Sequence, residues 1–98
     1  MEKIKQKIRA GERLSEEEQV KLMKSADMEL IRQYISRDIN LSYFGAQAET
    51  EFVKLGYISL IELYINRYTL CTEAQKELVK LKEPPLVRLY ALRYPTED

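Results

Sequence analysis

Three stretches of the chain repeat one frame of seventeen residues without a gap. They are LMKSADMELIRQYISRD (Leu22 to Asp38), FVKLGYISLIELYINRY (Phe52 to Tyr68) and LVKLKEPPLVRLYALRY (Leu78 to Tyr94). Four columns are identical in all three: Lys24/Lys54/Lys80, Leu30/Leu60/Leu86, Tyr34/Tyr64/Tyr90 and Arg37/Arg67/Arg93. The frames start 30 and then 26 residues apart. Recurrence at that spacing is the mark of helical units that bury their apolar faces only by stacking on one another. It points to a binding surface rather than to a closed catalytic pocket, and it does not name the partner.

Helix signals follow the frames. Ser15 opens Ser-Glu-Glu-Glu, the pattern in which a cap and the glutamate three residues on satisfy each other's backbone donors. Val20, Leu22 and Met23 continue an apolar stripe to about Ser25. Asp27 can cap a second helix in which Leu30, Ile31, Tyr34 and Ile35 recur at helical spacing. A second pair is expected to open near Ser42, run through Phe44, Ala48, Phe52, Val53 and Leu55, turn at Gly56, and return through Leu60, Ile61, Tyr64 and Ile65. A third starts at Cys71 or Thr72 and breaks at Pro84-Pro85, with Pro85 opening the last helix and Pro95 stopping it.

Placing Leu14 on Leu70 aligns LSEEEQVKLMK with LCTEAQKELVK and puts Ile4 and Ile8 on Leu60 and Tyr64. Helix 1, about residues 2–10, therefore reads as the second helix of an incomplete leading unit, polar enough to act as a solvated cap. The expected organisation is one domain over 1–98: a cap helix within 1–13 and hairpins over 14–38, 39–68 and 69–94. The fold class is all-α, a right-handed stack of antiparallel helix hairpins with about seven helices.

Leucine, tyrosine and arginine at i, i+4 and i+7 share one stripe of each second helix. Packing between units demands the same residues in every unit, whereas a ligand surface usually varies, so this column weighs towards structure. Leucine enters the core, tyrosine packs at its edge with its hydroxyl towards solvent or a loop, and arginine meets the negative helix end. The alternative is a ladder of tyrosine–arginine pairs, Arg37, Arg67 and Arg93 included, facing a peptide or an acidic partner. Tyr68 and Tyr94 fill the slot of Asp38 and suit either staples between units or ligand anchors. Tyr43 and Phe44, in the irregular junction near Asn40 to Ala46, are the candidates for exposed aromatics, with a core role the stronger alternative. The last helix carries Leu86, Val87, Leu89, Tyr90, Leu92 and Tyr94 with only Arg88 and Arg93 between them. A terminal unit needs a polar outer side, so Leu89 and Leu92 mark the last hairpin as the place of self-association or partner docking.

Sixteen basic and sixteen acidic residues cancel, so no global field draws the chain to nucleic acid or an anionic membrane. Lys3, Lys5, Lys7, Arg9 and Arg13 nevertheless leave residues 1–13 with a local positive surplus over Glu2 and Glu12. The chain has no histidine, one cysteine and three isolated glycines. These leave neither the commonest general base nor a paired thiol nor a phosphate-cradling loop. Cys71 fills the cap column of Ser15, and Glu16 to Glu18 form a first helical turn. No enzyme activity, metal or cofactor is expected. A single cysteine fits a reducing compartment and no apolar run approaches a membrane span, so a cytoplasmic protein is expected, without membrane association.

The Leu-x-x-x-Tyr-x-x-Arg stripe, with the flanking Leu-x-x-x-x-Gln-x-x-Leu of Leu14–Leu22 and Leu70–Leu78, resembles the HEAT-like α-solenoid class over about residues 2–94. The resemblance implies stacked antiparallel helix pairs with a concave face, mostly used to bind proteins and in some members nucleic acid. A protein or peptide partner is the leading expectation, with a homo-oligomer through the C-terminal hairpin or a self-assembling structural unit as the self-binding variants. Nucleic acid bound by Lys3, Lys5, Lys7, Arg9 and the arginine column is the second expectation.

Overall fold

The computed structural model describes residues 2–37 and 43–94. These form seven helices: α1 (Glu2–Arg9), α2 (Glu16–Ser25), α3 (Met28–Ile35), α4 (Ala46–Lys54), α5 (Ile58–Ile65), α6 (Thr72–Lys80) and α7 (Pro84–Arg93). No strand occurs among the described residues. The sequence expectations at Asp38, at residues 40–42 and at Pro95 lie outside them.

Local chemistry sets the boundaries. Ser15 Oγ accepts the Glu18 amide at 3.1 Å while the Ser15 amide donates to Glu18 Oε1 at 2.9 Å, closing the capping box. Asp27 caps α3 by accepting from the Leu30 amide. The first helix of each pair ends one or two residues before the same column, and in all three frames the residue in that column is left-handed: Ala26 at φ 54°, Gly56 at φ 72° and Lys82 at φ 55°. Only glycine adopts this conformation without steric cost. α7 starts at Pro84, one residue earlier than expected, because a first helical turn has no use for the missing amide donor. α4 starts at Ala46 rather than near Ser42. Gly45 is its N-cap in extended conformation, and Phe44 precedes the helix instead of joining it.

The helices pack in two rows. α4 lies against α2 on one side and α6 on the other, while α1, α3, α5 and α7 follow one another in the second row. α2 also packs on α3, and α6 on α7. One hydrophobic cluster runs through all seven helices, from Ile4 and Ile8 to Leu86 and Tyr90. The molecule measures 42 × 22 × 20 Å. Among the described residues no helix is long and apolar enough to cross a membrane.

Candidate interaction surface

The frame columns meet at the packing between one helix pair and the next, and a polar column holds that junction. Gln19, Glu49 and Gln75 occupy the same position, three residues before Leu22, Phe52 and Leu78. Gln19 Oε1 accepts the amide of Gly45, the N-cap of α4, at 2.8 Å. Glu49 Oε1 accepts the amide of Cys71, the N-cap of α6. Neither Gly45 nor Cys71 receives a side-chain cap from its own helix. The orphan donor at the start of each incoming helix is thus satisfied by the helix pair it docks on. Gln75 uses its amide nitrogen on Leu70 O at 2.8 Å, as Gln19 does on Leu14 O at 3.2 Å. Among the described residues its Oε1 accepts nothing.

The tyrosine column joins this network instead of reaching solvent. Tyr34 Oη accepts from Gln19 Nε2 and donates to Tyr43 O at 3.0 Å. Tyr64 Oη donates to Glu49 Oε2 and accepts the Phe44 amide, and Tyr90 Oη accepts the Leu70 amide at 3.1 Å. All three rings are buried. Burial pushes the Tyr34 phenol up to about 12 despite the opposing charge of Arg37. Burial, reinforced by the Glu49 carboxylate, pushes Tyr64 up further. Phe44 stacks between Tyr34 and Tyr64, with centroids 5.1 Å from each.

The arginines clip one helix end to the next. Arg37 Nη2 donates to Glu12 O, just beyond α1, and the guanidinium lies 5.2 Å from the Tyr34 ring centroid. Arg67 Nη1 donates to Ile35 O at 2.9 Å and Arg37 O at 2.7 Å, at the end of α3. The helix end each serves is that of the preceding unit, not its own. Arg93 is exposed.

These contacts separate the residues that sequence reasoning singled out. Phe44 is core, and only its neighbour Tyr43 is an exposed aromatic. Tyr68 and Tyr94 are half-buried, lying against Tyr64 and Tyr90 at 4.8 and 5.2 Å. Leu89 packs on the core and Leu92 is 80% exposed. Lys24, Lys54 and Lys80 are solvated, the latter two paired with Glu51 and Glu77.

The column comparison keeps the exposed surface on the last hairpin but centres it on residues other than Leu89. Met23 and Val53 are 1% and 0% exposed, but Val79 in the same column is 63% exposed. Ile31 and Ile61 are fully buried, and Val87 in their column is 36% exposed. Ala91, likewise exposed, stands where Ile35 and Ile65 are buried. A cleft of about 210 Å³ opens there between α6 and α7, lined by Gln75, Leu78, Val79, Val87, Tyr90, Ala91 and Tyr94. At the opposite end a larger cleft of about 520 Å³ is lined by Lys3, Ile4, Glu18, Lys21, Lys24 and Ser25. Cys71 Sγ lies 3.7 Å from Ala46 O, a packing position at the head of α6. Among the described residues no group of histidine, cysteine, aspartate and glutamate is placed to hold a metal. Compared with family models, curated proteins and solved structures, the chain matches none.

Proposed function

We propose that the chain is a small non-catalytic helical-repeat module, a right-handed HEAT-like α-solenoid that binds a protein or peptide partner in the cytoplasm. The observation that carries this reading is the bare C-terminal surface. Val79, Val87 and Ala91 belong to columns that are buried twice within the molecule, and they lie exposed around an apolar cleft between α6 and α7. A contiguous apolar patch on a small domain marks an interaction site.

The nucleic-acid reading draws support from the lysines around the N-terminal cleft. It loses three of its other cations: Lys7 is paired with Glu18 at 2.8 Å, and Arg37 and Arg67 donate to backbone carbonyls. A photo-crosslinking residue at position 79, with a second variant carrying it at position 21, distinguishes the two in cells. Protein adducts at 79 that persist in high salt support the module. Adducts only at 21, to nucleic acid and lost in salt, would install the alternative.

A further inference from the structure

We infer that the C-terminal end of the molecule binds, in trans, the first turns of a helix from another protein, selected by an uncapped N-cap amide. The inference rests on the functional reading above and adds the partner's chemistry to it. The two internal junctions are its template. Each receives a segment of the same make: a large apolar residue (Phe44, Leu70), an N-cap without its own side-chain cap (Gly45, Cys71), and an alanine three residues further on (Ala48, Ala74). Both alanines are fully buried, which lets the helices approach closely. In both cases the amide of the cap enters the polar column, on Gln19 Oε1 and Glu49 Oε1.

The C-terminal face repeats the receiving side of this arrangement: Gln75 in the polar column, and Val79, Val87 and Ala91 in the apolar ones. Its continuity with the internal junctions sets the occupant's chemistry. A second copy of the chain does not supply it. The corresponding segment at the front of the molecule is Leu14-Ser15-Glu16-Glu17-Glu18. Its cap amide is already taken by Glu18 Oε1, and a glutamate bound to Lys7 stands where the docking segments have alanine. That closed front edge also prevents head-to-tail growth into filaments, the hazard of a heterologous contact.

The test uses an acetylated peptide, YFGAQAETEFVKL, the sequence of Tyr43 to Leu55, titrated into the isotope-labelled full chain and followed by amide and methyl chemical shifts. Shifts are expected at Gln75, Val79, Val87 and Ala91. Gln75→Leu is expected to weaken binding by about tenfold through loss of a buried hydrogen bond. Gln75→Glu, which copies Glu49, retains it. A peptide with the alanine equivalent to Ala48 replaced by leucine binds at least roughly tenfold more weakly, because the close approach is blocked. Val79→Lys, at an exposed position, abolishes the shifts without disturbing the fold.

Shifts at this face that ignore both the Gln75→Leu change and the alanine change would overturn the helix-start selectivity while leaving a general docking surface intact. No shifts there at millimolar peptide, with crosslinks still formed at position 79 in cells, would overturn this inference alone. Loss of both would remove the functional reading as well. Concentration-dependent dimers of the free chain, abolished by Val79→Lys, would assign the face to a second copy instead.

Discussion

At the residue scale the left-handed column is the sharpest test of local chemistry. Ala26 and Lys82 hold a conformation that costs an L-residue about 1–2 kcal/mol, partly offset by their lower chain entropy when unfolded. Ala26→Gly is therefore expected to stabilise the protein by about 0.5–1 kcal/mol in urea melts, and Gly56→Ala to destabilise it by about 1 kcal/mol. The added methyl at Gly56 would meet nothing closer than Leu81 Cδ2 at 3.6 Å, so the loss there is one of backbone strain alone. The buried phenols make a pH prediction. The folded state holds the Tyr34 proton to about 12, against 10.0 in the unfolded chain. Its contribution to stability is complete below pH 10 and is lost as pH rises towards and through 12, with Tyr64 acting in the same direction. Ionisation of Tyr34 and Tyr64, followed by absorbance against phenylalanine variants at each position, should coincide with loss of helix. Their ionisation on an intact fold would mean that these hydroxyls are accessible.

At this same scale the limits of sequence reading are plain. The helical spacing of Leu30, Tyr34 and Ile35 announced a buried stripe. It allowed the Tyr34 hydroxyl to face solvent or a loop but could not name its partners, Gln19, fifteen residues back, and the carbonyl of Tyr43 in the junction before α4. The glutamine was visible in the Leu-x-x-x-x-Gln-x-x-Leu pattern, but Glu49 in the middle unit hid the column. Towards the incoming cap amide the two act alike, since both accept it, but Gln19 donates to its tyrosine hydroxyl whereas Glu49 accepts from its own.

At the element scale the capping box on α2 and the aspartate cap on α3 were legible because their partners lie three residues away. Ser15→Ala is expected to destabilise the fold by about 0.5–2 kcal/mol and to leave the Ser15 amide still held by Glu18. A change within the error of the melts would mean that solvent replaces the hydroxyl without loss. The start of α4 was misplaced for the opposite reason. Its cap amide is satisfied from Gln19, across the junction, and no local residue encodes that partner. Leu60 tests the shared core column: Leu60→Ala removes a buried side chain from the first turn of α5 and is expected to cost about 2–5 kcal/mol.

At the scale of the molecule, sequence recurrence and packing meet in one arrangement: two rows of helices, a polar acceptor at each junction, and columns that are buried twice and bare at the end. The notion of an apolar last helix pointed to Leu89 and Leu92. The comparison of columns moves the centre of that surface to Val79, Val87 and Gln75, which no single frame could reveal. In the proposed repeat array stability is a sum of units and junctions, so the direct test of that reading is a tandem duplication of residues 69–94 inserted after Tyr94. The account predicts two more helices by circular dichroism, a higher urea midpoint in one cooperative transition, and a residue at position 79 newly protected from solvent. An inserted segment that stays unfolded, with the midpoint unchanged and position 79 still exposed, would contradict it.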